Sequence, residues 1–453
     1  MFSRRQWFSA ALPVLAAPAF GVQASRSRSL GERLLQAVDR FEVVNTHEHI
    51  IPEKERVSQP VDFFTLAGHY AVNDVISAGL PPDVASGKDL SPAERWRAFE
   101  PHWKHARFTG YGQALRIAIR DIYGVPEITA STLPKINDAI AAQNKPGLYG
   151  RILKERARIR YSVLDDYWNA APVPPDFEFF VLARKFDRFI MPATRNDVGQ
   201  LEKLTDVSIT SLAGLKRAME RSFEQSLAAG MVTVKSTIAY NRDLRFREVP
   251  EPAAAASFEG LMRGDVRLPE GFRTRVERPF RNLEDHMFHH LMRLAESHNA
   301  PVQLHTGLLA GNAGFIANTN ATLLTNLFHL YPKVKFDLFH ISYPYHAELA
   351  VLAKLFPNVH IDFCWAHVIS PPAARSALHE FLETVPVNKI FGFGGDYRYP
   401  ELSYAHLRIA RRNIAQVLAE KVEQGFCDEQ EAVEIARLLL DENPGQLFPR
   451  RRP

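Results

Sequence analysis
The chain has 453 residues, 46% of them hydrophobic and 23% charged, an ordinary globular composition with ample length for a large core. A formal charge of +4 is small for this size and gives no reason to expect nucleic acid or an anionic membrane as a partner. The two cysteines, Cys364 and Cys427, make neither a disulfide framework nor a cysteine-based metal site.

Residues 1–24 read as a targeting segment. Arg4 and Arg5 precede a short, moderately apolar run over 10–20, and Val22-Gln23-Ala24 offers small residues for a signal peptidase. The paired arginine resembles a bacterial twin-arginine signal, which exports folded proteins to the periplasm. The run is too short and too interrupted by proline to span a bilayer, so no stable membrane anchoring is expected. Residues 25–453 are then one domain.

Helical spacing of Leu34, Leu35, Val38 and Phe41 predicts a helix over 30–41. It leads into a strand, Val43-Val44-Asn45-Thr46-His47-Glu48-His49, on which His47 and His49 point to one side. Two neutral imidazoles side by side suit zinc or a similar divalent metal. Residues 52–154 show no clear strand and read as a mainly helical insertion. Further strands are predicted over 158–164, 186–192, 231–238, 301–305, 334–340, 359–363 and 389–396. Helices are predicted over 212–227, 284–298, 321–330, 345–355 and 373–384, and the tail, 403–447, is mostly helical. A second insertion, 241–279, is rich in Arg, Glu and Pro without firm periodicity.

Eight strands, most separated by helices, predict an α/β fold with a parallel sheet, and eight units suggest a closed (β/α)8 TIM barrel. A doubly wound open sheet is the alternative. The barrel is preferred because the chemistry-bearing residues fall at the ends of non-adjacent strands, which converge only at a barrel mouth. Those residues are His47, His49, Lys235, His305, His340 and Asp396.

The set resembles the amidohydrolase superfamily. The segments Leu304-His305-Thr306-Gly307, Leu338-Phe339-His340-Ile341-Ser342-Tyr343-Pro344, Ile361-Asp362-Phe363-Cys364-Trp365 and Gly394-Gly395-Asp396-Tyr397 look like its amidohydrolase-related branch, which includes the domain fused to glutamine-synthetase-like proteins. The resemblance implies one or two divalent ions, zinc by preference, held by His47, His49, His305, His340 and Asp396. In members with two metals the lysine on the fourth strand is carboxylated and bridges them; Lys235 stands at that place. Such a metal brings the pKa of its water to about 7, and Asp396 would take and return the proton. His340 would serve as a second-metal ligand or an electrophile. Asn45 departs from the family's aspartate, which puts the tuning of the site in doubt.

The expected function is therefore a metal-dependent hydrolase of an amide, lactone or related bond on a small-molecule substrate. A zinc decarboxylase or uronate-type isomerase on the same site is the alternative, and a non-catalytic exported binding protein is a third. An oligomer is compatible with all three. Arg116 is a candidate clamp for a substrate carboxylate, set against a structural ion pair, and His367 a candidate for lining the mouth. Gly394-Gly395 is expected to let the backbone approach metal or substrate. His102 and His105, and the group Asp285, His286, His289 and His290, are expected on solvated helix faces.

Overall fold
A computed structural model describes residues 28–87, 90–264 and 278–450. The expected targeting segment and part of the second insertion lie outside the described residues.

Eight strands form one parallel sheet in chain order: β1 (Val43–Glu48), β2 (Ile159–Asp165), β3 (Phe180–Lys185), β4 (Met231–Ser236), β5 (Val302–Leu304), β6 (Phe336–Leu338), β7 (Val359–Asp362) and β8 (Ile390–Phe391). The ring closes where Thr46 N–H donates to Phe393 O (3.1 Å), Asp396 N–H to His47 O (2.9 Å) and His49 N–H to Tyr397 O (3.0 Å). The open-sheet alternative is thereby excluded. Strands β1, β5, β6 and β8 are buried along their whole length, as expected of parallel strands covered on both faces.

The third strand is the main correction. It runs over Phe180–Lys185, not 186–192. The continuous apolar run before Arg184 suits a strand buried on both faces, whereas Asp187 opens a short helical turn, Asp187–Ile190. The Asp187 carboxylate accepts from Thr237 N–H (2.7 Å) and Thr237 Oγ1 (3.1 Å), tying the exit of β3 to that of β4. Most strands are also shorter than the sequence suggests, so His49, His305 and His340 stand just beyond strand ends and Asp396 lies in the segment after β8.

The first insertion holds helices and no strand among the described residues, its longest helices being Pro92–Ala106 and Gly110–Tyr123. The second contains a helix, Glu251–Arg263, whose buried Ala254, Phe258 and Leu261 do follow helical spacing, contrary to expectation. The helix Arg281–Ser297 buries Leu283, Met287 and Leu291 at four-residue steps. Its other face is not solvated as expected. Asp285 and Glu284 are buried against Arg242, at 2.6 Å (Nη2 to Oδ1) and 3.1 Å (Nη1 to Oε2), and Arg247 Nε reaches Asp285 Oδ2 at 2.7 Å. His286 and His289 are buried too; His290 pairs with Glu220 at 3.0 Å. The acid-rich pattern thus marks a buried ion network that holds the second insertion onto the barrel.

The tail packs back on the barrel through Pro400–Glu423, Glu429–Arg437 and Asn443–Leu447. Phe448 joins Val44, Tyr161, Val163, Val181, Ala183 and Phe391 in an apolar cluster apart from the main core, and Tyr161 O–H donates to Phe448 O at 2.9 Å. No helix among the described residues is long and apolar enough to cross a membrane.

Candidate metal centre
The end of β1 places His47 and His49 with ring centroids 4.8 Å apart. His49 Nδ1 lies 3.0 Å from the backbone oxygen of Asp165. A carbonyl only accepts, so Nδ1 carries the hydrogen and Nε2 keeps its lone pair. That Nε2 stands 3.1 Å from Asp396 Oδ1, and His47 Nε2 stands 3.7 Å from the same oxygen. His47 Nδ1 is buried without a hydrogen-bond partner among the described residues.

The same logic fixes two more rings. His305 Nε2 faces Leu308 O at 2.9 Å and His340 Nδ1 faces Cys364 O at 2.9 Å, so both of these nitrogens donate. The remaining nitrogens, His305 Nδ1 and His340 Nε2, face each other at 3.1 Å. Burial pushes His340 down to about 4 and His305 well below its ordinary value, so both rings are neutral near pH 7. Two lone pairs then oppose each other with no proton between them, an arrangement that a shared cation relieves. Two nitrogens on one zinc ion, each at about 2.0–2.1 Å with a tetrahedral angle, stand roughly 3.3 Å apart. The donor set therefore fits a divalent metal, and backbone carbonyls orient three of its rings, as is usual around metal-binding histidines.

Asp396 lies between the two imidazole pairs: Oδ1 faces His47 and His49, and Oδ2 is 3.9 Å from His340 Nε2. Its φ is +60°, and His340, Ile341 and Ser342 also have positive φ, +61°, +47° and +51°. Such conformations cost about 1–3 kcal/mol each and persist where surrounding contacts over-determine them. Here they aim His340 and Asp396 at one point.

Lys235 is buried, with Nζ 3.3 Å from the centroid of the Phe339 ring and no ion pair to a described carboxylate. Burial lowers its pKa to about 8. The structure also brings in residues that the sequence reading missed. Asp165, ending β2, puts Oδ2 3.9 Å from both His47 Nε2 and His49 Nδ1, and Lys185, ending β3, pairs with that oxygen at 2.8 Å. Both close runs of buried apolar residues, the same signal that drew attention to His47. Cys364, dismissed as a ligand from the cysteine count, has its sulfur within 4.8 Å of ligand atoms of His340 and Asp396. Spacing alone gave no sign of this, because the three residues come from separate loops.

Several expected roles are corrected. His367 does not line the mouth: it is fully buried, its Nε2–H donating to Gly392 O (3.1 Å) and its Nδ1 accepting from Asn413 Nδ2 (3.2 Å). The Arg116 side chain, half-buried on the helix Gly110–Tyr123, makes no hydrogen bond or ion pair to a described residue, so the structural pair weighed for it does not form among the described residues. A Cβ on Gly395 would come 1.8 Å from Glu48 Oε1, and one on Gly394 2.5 Å from Thr46 Oγ1. The two glycines thus admit β1 side chains rather than metal or substrate. Asn45 holds that junction, donating to Glu48 Oε1 (2.6 Å) and accepting from Gly395 N–H (2.9 Å). His102 is half-buried, its Nδ1 donating to Ala78 O at 2.9 Å, while His105 is exposed.

The amidohydrolase family profile matches residues 250–450. Over 151 residues, 33% of this chain, the sequence is 33% identical to protein fluG of Emericella nidulans, of which the chain spans only 17%. A uronate isomerase of Cutibacterium acnes is 24% identical over 94% of this chain and 96% of its own length. The fold matches that of a uronate isomerase from Thermotoga maritima with a TM-score of 0.76 and 18% identity, over 92% of this chain and 97% of the other. These findings overturn the expected hydrolase: the relatives aligned along the whole barrel are isomerases, and the alternative reading accords with them better.

Proposed function
This chain belongs to the amidohydrolase superfamily, and from that premise we propose that it is a metal-dependent isomerase interconverting an open-chain uronate aldose with its ketose. The observation that carries the reading is the end-to-end similarity to uronate isomerases, coupled to a cation cradle at the barrel mouth.

The reaction moves one hydrogen from C2 to C1 and one proton from the 2-hydroxyl to the C1 oxygen. A bound divalent cation would polarise the oxygens on C1 and C2 and so acidify the C2 hydrogen. His47, His49 and one oxygen of Asp396 would hold one cation; His305, His340 and the other oxygen would hold a second. Nitrogen and carboxylate donors in small number suit zinc. Asp396, whose carboxylate lies between the two imidazole pairs, is the group that accepts the migrating proton and returns it. Arg398, two residues further on, is half-buried, and its guanidinium has no hydrogen bond or ion pair to a described residue. Its planar fork matches the terminal carboxylate that distinguishes a uronate from a neutral sugar. Tyr70 and Trp365, with rings 4.5 Å apart, form an aromatic wall near His340. Lys235 is assigned as a free amine, because a carbamate anion would meet the negative face of the Phe339 ring.

The test is incubation of metal-loaded protein with D-glucuronate and D-galacturonate in deuterated water. Ketose carrying one deuterium at C1 is expected by NMR. Stoichiometric metal with neither ketose nor exchange at C2 would sink the reading. Intact mass under conditions that preserve carbamates should show an unmodified Lys235.

A further inference from the structure
We propose that Cys364 is a thiolate ligand of the cation held by His305, His340 and Asp396, so that this position selects a soft divalent metal. The inference rests on the reading that a cation occupies that position.

Cys364 follows β7 and is fully buried. Its sulfur, a ring nitrogen of His340 and a carboxylate oxygen of Asp396 all lie within 4.8 Å of one another. A buried cysteine usually acts as a small apolar residue. These surroundings are not apolar: they are a carboxylate and an imidazole whose free nitrogen already faces a second lone pair. The backbone of Cys364 is pinned on both sides. Its N–H donates to Asp362 Oδ1 at 2.7 Å, and its carbonyl accepts from His340 Nδ1 at 2.9 Å. The contact that orients the His340 ring therefore also sets where the sulfur stands relative to that ring. The opposite wall is shaped to the side chain, since a Cβ on Gly394 would fall 2.8 Å from the sulfur.

Charge argues the same way. Asp396 is shared between the two imidazole pairs, Asp165 is already paired with Lys185, and Lys235 adds positive charge nearby. One shared carboxylate leaves most of the cationic charge in this buried setting uncompensated; a thiolate beside it lowers what remains. On binding, the sulfur–hydrogen bond breaks, the proton leaves to solvent, and the sulfur electron pair forms the bond to the cation. Thiolate favours zinc, cobalt or cadmium over magnesium or manganese.

The experiment is electronic absorption of the full chain loaded with cobalt(II). Visible ligand-field bands report a cation in the site; a near-ultraviolet sulfur-to-cobalt charge-transfer band reports the thiolate. The wild type is expected to show both. Cys364→Ser should keep the visible bands and lose the near-ultraviolet band, with zinc affinity at least about tenfold weaker and magnesium affinity unchanged. Cys427→Ser should keep both. Stoichiometric cobalt and visible bands without the charge-transfer band in the wild type would overturn the thiolate and leave the metal site standing. Survival of the band in Cys364→Ser would overturn it as well. No cobalt uptake by folded protein would overturn both. The wild-type spectrum decides the matter even where a variant folds poorly.

Discussion

His49 Nε2 stands 3.1 Å from Asp396 Oδ1 while the other ring nitrogen is held by the Asp165 backbone, so one residue from each end of the chain meets at a single point. Removing either side of that meeting should empty the site. Asp396→Asn is expected to lower isomerase activity by on the order of a thousandfold and to reduce bound metal, measured by elemental analysis and turnover of a uronate. Chelation of the wild type should abolish activity, and zinc or cobalt should restore it. Full activity in metal-free protein would refute the arrangement.

Arg398 offers a guanidinium without a described partner, two residues after the proposed base in the chain. Arg398→Met should raise KM for a uronate by on the order of tenfold to a hundredfold, the weight of one charged hydrogen bond. Arg398→Lys should recover part of that loss. An unchanged KM in both variants would show that the substrate carboxylate is read elsewhere.

His367 carries a pH prediction. Burial, opposed by the hydrogen bond to Gly392, pushes its pKa down from 6.5 to about 4. Between those values the unfolded chain binds a proton that the folded chain does not, so stability falls as pH drops from 6.5 towards 4. By pH 5 this one group removes about 2 kcal/mol. His367→Gln should be less stable at pH 7 yet lose less on going to pH 5, as read from urea midpoints. An identical loss in both proteins would show that His367 is not the group responsible.

The buried network around Asp285 makes a stability prediction remote from the site. Asp285→Ala strands Arg242, which is 2% exposed, without its shortest ion pair. The expected cost is roughly 3–5 kcal/mol in urea unfolding, with little change in cobalt spectra of the folded fraction. A cost below about 1 kcal/mol would mean that Glu284 alone compensates the charge.

Much of the barrel could be read from local pattern. Apolar runs such as Val43-Val44 and the alternation with helices gave eight strands, and His47 and His49 stood out because two-residue spacing has meaning on a strand. The error at the third strand had a local cause: Phe186, Phe189 and Met191 imitate an edge, while the true strand at Phe180 is a plain apolar run that periodicity does not separate from a buried helix. The helix with Asp285 and His286 was misplaced for a similar reason, since charged residues pattern as solvated unless their partners, here on the second insertion, are known to cover them.

Sequence by itself determined the eightfold alternation and pointed to most of the candidate donors, because side-chain period and residue chemistry are properties of short stretches. Only the folded chain decided which lone pairs face one another, that Asp165, Lys185 and Cys364 join the site, and that His367 does not. Those outcomes depend on which backbone carbonyl each ring meets and on which loops share a mouth. Both are set by closure of β1 against the segment after β8, across some 350 residues that no local pattern spans.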